Sequence, residues 1–426
     1  MYISEPRKVA IVGANRIPFA RSNTAYADLS NQTLLTDTLK GLVGKYKLEG
    51  ERLGEVVGGA VLKHFYDMNL VRESVLSSGL DPNTPAFDIQ QACGTGLEAT
   101  ILVANKIALG QIDVGIACGS DTNSDAPISI NNEFRKGLLK LSSAKTNGDR
   151  LKAIAKLGDP RNLKPKFPAL AELRTGKVMG EHAQITANEL GVTRDEMDEL
   201  TLASHKNLNR AYEEGFFDDL VMPYQGLKKD NNLRGSITIE QLKKLPPIYG
   251  EQETITAGSA SALTDGASAV LLASEEWAKS KGLPILAYIT AGEVAAVDYE
   301  HGKEGLLMAP TYAVPRMLKR HGLNLQDFDF YEIHEAFAAV PLSTMKAWAS
   351  AEFCKERLGL DKPLGNIDRS KLNVKGSSLA TGHPFAATGG RIVGSLAKTL
   401  SEHGKGRGLI SICAAAGQGV VAIIEK

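Results

Sequence analysis

The chain has 426 residues, a length that at about 150 residues per unit implies two or three structural units. Its 49 basic and 49 acidic residues balance, which excludes the basic excess expected of a nucleic-acid binder, and a hydrophobic content of 43% excludes wholesale disorder. No apolar run reaches the roughly 18 residues that a membrane helix needs, and neither terminus reads as a targeting signal, so a cytoplasmic α/β protein is expected.

In chain order, residues 7–14 read as a buried strand ending in a glycine turn, 30–43 as a helix and 53–62 as a second strand. Residues 87–92 lead into Cys93-Gly94-Thr95-Gly96. The stretch 97–109 is apolar on almost every face, which places its helix in the middle of the molecule. Gly110 stops it, and 114–118 forms another strand. Strands alternating with helices predict a largely parallel sheet covered by helices.

The segment 121–250 differs in character. From Arg135 to Lys177 it holds twelve Lys or Arg against three Asp or Glu, with Pro160, Pro165 and Pro168 along it. A solvated, loop-rich insertion accounts for this pattern, and so does a surface facing a phosphate or a partner. A helix is predicted over 193–217, ending at Gly215.

Near the C-terminus the earlier phrase returns. Residues 377–384 form a small-residue turn, 389–400 a helix, 404–408 a glycine break and 409–413 a strand. Residues 55–61 and 329–336 match more loosely. The repetition implies two duplicated halves that pack with equivalent loops side by side, so the Cys93 turn should meet the His383 turn.

The four cysteines are Cys93, Cys118, Cys354 and Cys413, with no C-x-x-C pair, which fits free thiols in a reducing compartment. A buried thiol is by default a small hydrophobe. Cys93 stands above that default because a thiol before a helix faces the positive end of the dipole, which lowers its pKa. His383, in Thr381-Gly382-His383-Pro384, can take the thiol's proton, and Pro384 suits the first turn of the next helix. Cys413 ends a strand among small residues and can serve as a second acid/base if its pKa lies near neutrality. His334 ends another strand and can donate to a carbonyl oxygen directly or through a water. Glu335 either orients that water or is a structural carboxylate, and Cys118 is assigned to packing.

Together these residues resemble the thiolase family over nearly the whole chain. The matching stretches are Gln91-Ala92-Cys93-Gly94-Thr95-Gly96, His334-Glu335-Ala336-Phe337-Ala338, Gly382-His383-Pro384, and Cys413 before Gly417-Gln418-Gly419. Thr256-Ala257-Gly258-Ser259-Ala260-Ser261, Met179-Gly180 and the stretch from Asp230 to Pro246 also fit. The resemblance implies a five-layered αβαβα fold of two α/β halves. Residues 1–120, completed by 251–280, would form the first half and 281–426 the second. Residues 121–250 would be an inserted, basic, CoA-binding loop domain.

The resemblance further implies cleavage of 3-ketoacyl-CoA through an acyl group on Cys93, with His383 as base and Cys413 protonating the departing enolate. One oxyanion hole would use His383 and a water held at His334, the other the backbone N–H groups of Cys93 and Ala415. Ser261 and Met179, with Arg234 further out, would contact CoA, which is a substrate; no permanent cofactor and no metal are expected. Many thiolases have asparagine at the place of His334, and a histidine there resembles the β subunit of trifunctional fatty-acid-oxidation complexes. Ala414, Ala415 and Ala416 replace some glycines usual after the second cysteine, while Ser377, Ser378 and Phe385 depart from the family pattern around the histidine motif.

A degradative thiolase is therefore expected, as a homodimer or dimer of dimers, with a hydratase/dehydrogenase subunit as a further partner and at most peripheral membrane contact. The alternatives are an acetoacetyl-CoA thiolase, a ketosynthase and a non-catalytic acyl-CoA binder. Cys413 argues against the ketosynthase, whose decarboxylation makes its carbanion without a thiol.

Overall fold

The structure is a computed structural model that describes residues 5–157, 164–169 and 171–426, with the side chain of Lys156 outside the description. Its strands are β1 (Val9–Arg16), β2 (Ala20–Arg21), β3 (Glu55–Gly58), β4 (Ala86–Asp88), β5 (Val114–Asp121), β6 (Thr264–Ser274), β7 (Ala287–Ala296), β8 (Phe330–Ile333), β9 (Arg407–Ala414) and β10 (Gln418–Glu425). They run in the order β4-β3-β5-β6-β1-β7-β10-β9-β8, with β2 added to β6.

That order is nearly symmetric about the β1–β7 junction, where only Ala10 and Ile11 pair with Tyr288 and Ala287. On either side of it β1, β6, β5 and β3 correspond to β7, β10, β9 and β8. The hand of pairing repeats as well: β3–β5 and β8–β9 are parallel, and β5–β6 and β9–β10 antiparallel. The sheet is thus mixed rather than largely parallel. The reason is local in the second half, where Ala416 and Gly417 take positive φ and turn the chain directly from β9 into β10. So short a connection can join only antiparallel neighbours.

Five layers follow from where the apolar side chains point. Leu35, Leu39 and Leu42 of the helix Asn31–Tyr46 cover one face of the first half with Ile116 and Leu271. Val314, Met317 and Leu318 of the helix Ala309–His321 cover the second half with Leu409 and Val421. Between the halves lies a cluster drawing on both, including Ile11, Ala117 and Val270 with Ile410, Ile412 and Val420. Two helices, Thr95–Ala108 and Ala387–His403, fill that middle layer. Burial on nearly all sides explains why both read as apolar or small-residue stretches.

Differences from the sequence reading have local causes. The strand predicted over 53–62 stops at Gly58, because Val61 and Leu62 turn away to donate their N–H groups to Asp121. The helix of 193–217 spans Arg194–Glu213, started by a Thr193–Glu196 capping box and followed by Gly215 at φ 72°. Pro384 precedes the helix Ala387–His403 instead of standing in its first turn. The basic segment contains a hairpin of helices Asn132–Ser143 and Asn147–Leu157 that cross at Gly137 against Leu157. Pro160 lies outside the described residues.

Candidate active site

The site is assembled at the N-terminal ends of the two central helices. The chain reaches Cys93 through Ala92, which takes a left-handed φ of 46°, a conformation costly for any residue with a Cβ. Thr95 holds this turn, its Oγ1 donating to the Ala92 carbonyl at 2.7 Å and accepting from the Gln91 N–H at 2.9 Å. The strained turn leaves Cys93 half-buried, with its sulfur facing the other half of the molecule.

There Cys93 Sγ lies 3.0 Å from His383 Nε2, across 290 positions of sequence. His383 Nδ1 is 2.6 Å from Thr388 Oγ1. Burial pushes the Cys93 thiol up to about 12, with the Asp121 carboxyl adding in the same direction and the backbone N–H groups of Ala415 and Cys93 opposing. Burial, and then the Arg391 charge, push His383 down to about 3. The expected lowering of the Cys93 pKa by its helix is therefore corrected. A helix terminus contributes about 0.3–1 kcal/mol, while burial can move a pKa by up to about 3–5 units. The resting pair is neutral, and in the tautomer with Nδ1–H toward Thr388 the thiol can donate to Nε2.

Cys413 is buried at the end of β9, and burial followed by the neighbouring Cys93 raises its pKa, so it too rests as a thiol rather than near neutrality. A thiol held protonated in this way can give a proton only to a strong base and must recover one afterwards. Cys118 is buried in the outer cluster of the first half, and Cys354 is buried with its thiol directed at the Trp348 carbonyl. Both pack.

His334 follows β8 and is fully buried. Its ring centroid is 4.3 Å from that of His383, and one ring nitrogen lies within 4.8 Å of both Cys93 Sγ and a nitrogen of His383. Nδ1 is taken by Ser378 Oγ at 3.0 Å, which leaves Nε2 without a protein partner. Glu335 accepts from Ser204 Oγ, Asn373 Nδ2 and the Leu379 N–H. Those three donors make it a structural carboxylate that ties the His334 loop to the 377–379 turn and to the helix Arg194–Glu213.

Of the residues matched to CoA contacts, Ser261 runs between the two histidine loops. Its N–H donates to the Ala336 carbonyl, while its neighbours Ala260 and Leu263 bridge Phe337 and His383. Met179 opens the helix Met179–Glu189 and is half-buried. Arg234 is exposed, its backbone N–H bonded to His205 Nδ1.

Sequence reasoning missed Asp121, Thr388 and Arg391. Asp121 is fully buried, and its carboxyl gathers the N–H groups of Val61, Leu62 and Ala386, holding the His383 loop against the first half. Burial raises it to about 6 despite those donors. An aspartate among the small residues after Cys118 was the available signal. Thr388 and Arg391 lie on the first turns of a helix whose inward face only the packing reveals.

Two family models match the chain: the thiolase N-terminal domain over residues 9–276 and the thiolase C-terminal domain over 283–426. The chain is 38% identical to the 3-ketoacyl-CoA thiolase of Shewanella sp. (strain W3-18-1), over 98% of this chain and 97% of that protein. It is 38% identical to that of Colwellia psychrerythraea, over 99% and 98%. Among solved structures, the acetyl-CoA acetyltransferase of Bacillus anthracis aligns with a TM-score of 0.82 at 29% identity, covering 99% of this chain and 100% of that one. Human mitochondrial 3-ketoacyl-CoA thiolase in complex with CoA aligns with a TM-score of 0.80 at 28% identity, covering 99% and 98%. Matched in both halves, with a thiol–imidazole pair at the seam between them, the chain belongs to the thiolase family.

Proposed function

We propose that this chain cleaves 3-ketoacyl-CoA thiolytically to acetyl-CoA and a shortened acyl-CoA, as a degradative enzyme of fatty-acid β-oxidation. The observation that carries the reading is the 3.0 Å contact of Cys93 Sγ with His383 Nε2, with the buried thiol Cys413 beside it. The names of the full-length relatives support the reaction class.

In this reading Cys93 passes its proton to His383 Nε2 as its sulfur attacks the 3-keto carbon. The C2–C3 bond then breaks, the acyl group stays on Cys93, and the acetyl-CoA enolate takes the proton of Cys413. Incoming CoA gives its thiol proton to the Cys413 thiolate and attacks the acyl carbon. Cys93 leaves as thiolate and recovers the proton from His383. Protons balance over the cycle, and each thiol returns to its resting form.

The Cys93 and Ala415 N–H groups, already directed at the Cys93 sulfur, stabilise the alkoxide formed there. His334 and His383 serve the enolate oxygen. CoA enters as a substrate, with Ser261, Met179 and Arg234 as its proposed contacts. The division into 1–120 with 251–280, 121–250 and 281–426 belongs to the same reading.

We further infer that the hairpin 132–157 faces a hydratase/dehydrogenase partner. Support comes from the basic excess of the segment and from exposed Leu138, Leu139, Leu151 and Ile154 on its helices. A homo-oligomer and a cytoplasmic setting complete the proposal; among the described residues no helix is long and apolar enough to cross a membrane.

The experiment that tests the activity is CoA-dependent cleavage measured as kcat/KM from acetoacetyl-CoA to 3-ketopalmitoyl-CoA. A rise with chain length supports the degradative reading. Activity confined to acetoacetyl-CoA supports the condensing thiolase instead.

A further inference from the structure

The departure at Ser377 and Ser378 acquires a physical meaning from what lies behind it. Arg391, on the buried face of the helix Ala387–His403, is 3% exposed. Among the described residues it has no carboxylate within ion-pair distance. Instead, its Nη2 donates to Ser378 Oγ at 2.9 Å and to Ser377 Oγ at 3.3 Å. The carboxyl of Glu332 is close enough to interact, yet burial pushes it up to about 8, so near neutral pH it is mostly uncharged. A buried guanidinium spent on two hydroxyls rather than on an anion calls for a reason.

Guanidinium groups can only donate, so Ser378 Oγ must accept from Arg391. The hydroxyl's own proton then has His334 Nδ1, at 3.0 Å, as the acceptor left to it. An imidazole that accepts at Nδ1 carries its proton on Nε2. Nε2 is the nitrogen left without a protein partner, in a ring that packs against His383 and lies close to Cys93.

We propose that Arg391, acting through Ser378, is a positioning residue that holds His334 as the neutral Nε2–H tautomer, so that a direct N–H donor points at the substrate oxygen beside Cys93. The proposal rests on the thiolytic reading for what that oxygen is, but not for the tautomer itself. A donor fixed beforehand stabilises developing negative charge without reorganising during the reaction. The positive charge of Arg391 acts in the same sense, because it opposes protonation of both His334 and His383.

The test is the ¹⁵N spectrum of histidine-labelled enzyme, with His334 assigned by loss of its signals in His334→Asn. Wild type is expected to show a protonated Nε2 and an unprotonated Nδ1 near neutral pH. Ser378→Ala should mix the tautomers and lower kcat roughly ten- to a hundredfold, less than the 10²–10³ for removing an oxyanion donor outright. KM and the alkylation rate of Cys93 should hold, and Ser378→Thr should restore both tautomer and kcat. A wild-type His334 protonated at Nδ1 would overturn the proposal, as would Ser378→Ala with unchanged tautomer and turnover. Absence of thiolytic cleavage in wild type would count against the proposed function, while the ¹⁵N spectrum would still decide the tautomer.

Discussion

Gly96 and Gly389 meet backbone to backbone where the two central helices begin. A Cβ on Gly96 would sit 2.6 Å from the Ala386 carbonyl oxygen and 3.3 Å from the Gly389 Cα, and one on Gly389 would sit 2.2 Å from the Leu97 nitrogen. None of these neighbours is a side chain that could swing aside. The close approach lets a turn from each half put Cys93 and His383 within hydrogen-bond distance.

Gly96→Ala or Gly389→Ala is therefore expected to force the helices apart. Overpacking of this kind costs about 1–3 kcal/mol, and the pair it supports must keep a separation near 3 Å to work. Urea unfolding should show the stability loss, and kcat/KM should fall by more than tenfold. A variant as active as wild type would mean that the catalytic loops are positioned independently of this contact.

The neutral resting pair sets the response of stability to pH. His383 has an ordinary value of 6.5 and is pushed to about 3 in the folded chain, and His334 is displaced in the same direction. Unfolding then takes up protons in acid, so their contribution is present above pH 6.5 and is lost as the pH falls toward 3. Cys93 moves the other way, from 9.0 to about 12. Its contribution is present below 9 and is lost as the pH rises toward 12. Urea melts across pH should therefore show two falling arms. His334→Asn should remove only its own share of the acid arm, since His383 and His205 act with the same sign, and Cys93→Ala only its share of the alkaline one, since Cys118 and Cys413 do likewise.

The two thiols near the site should separate by function. Cys93→Ala is expected to abolish the acyl-enzyme detected by mass spectrometry. Cys413→Ala should still accept an acyl group on Cys93 yet lose C–C cleavage by about 10²–10⁴, the scale of a general acid/base. Wild-type cleavage by Cys413→Ala would remove it from the mechanism.

For the basic segment, Lys152→Glu with Lys164→Glu should weaken partner docking in a binding assay while leaving turnover of the isolated chain unchanged. Both lysines are exposed, whereas the side chain of Lys156 lies outside the described residues. Docking that survives the reversal would return the segment to a solvated insertion. Binding to anionic vesicles in place of the protein partner would reassign the surface.

The duplication was legible because it is written as local order: small-residue turn, apolar helix, glycine break, strand. Cys93, His383 and Cys413 could be singled out because chemistry-bearing side chains stand at ends of these repeated phrases. The protonation states were not legible. Motif spacing carries the helix dipole but not the depth of burial, so a lowered Cys93 pKa was expected where burial raises it to about 12. The mixed sheet escaped for a related reason, since alternation of strands and helices does not reveal that Ala416 and Gly417 make a tight turn.

The sequence by itself determined the family, the two halves and the candidate reacting groups, because each rests on residue types in a fixed local order. Only the tertiary structure decided which groups face one another and in what charge state. The pairing of Arg391 with Ser378, of Ser378 with His334 and of Asp121 with Ala386 joins residues whose relation depends on helices crossing at a glycine contact. Burial and hydrogen-bond direction are properties of that crossing, and no single segment contains them.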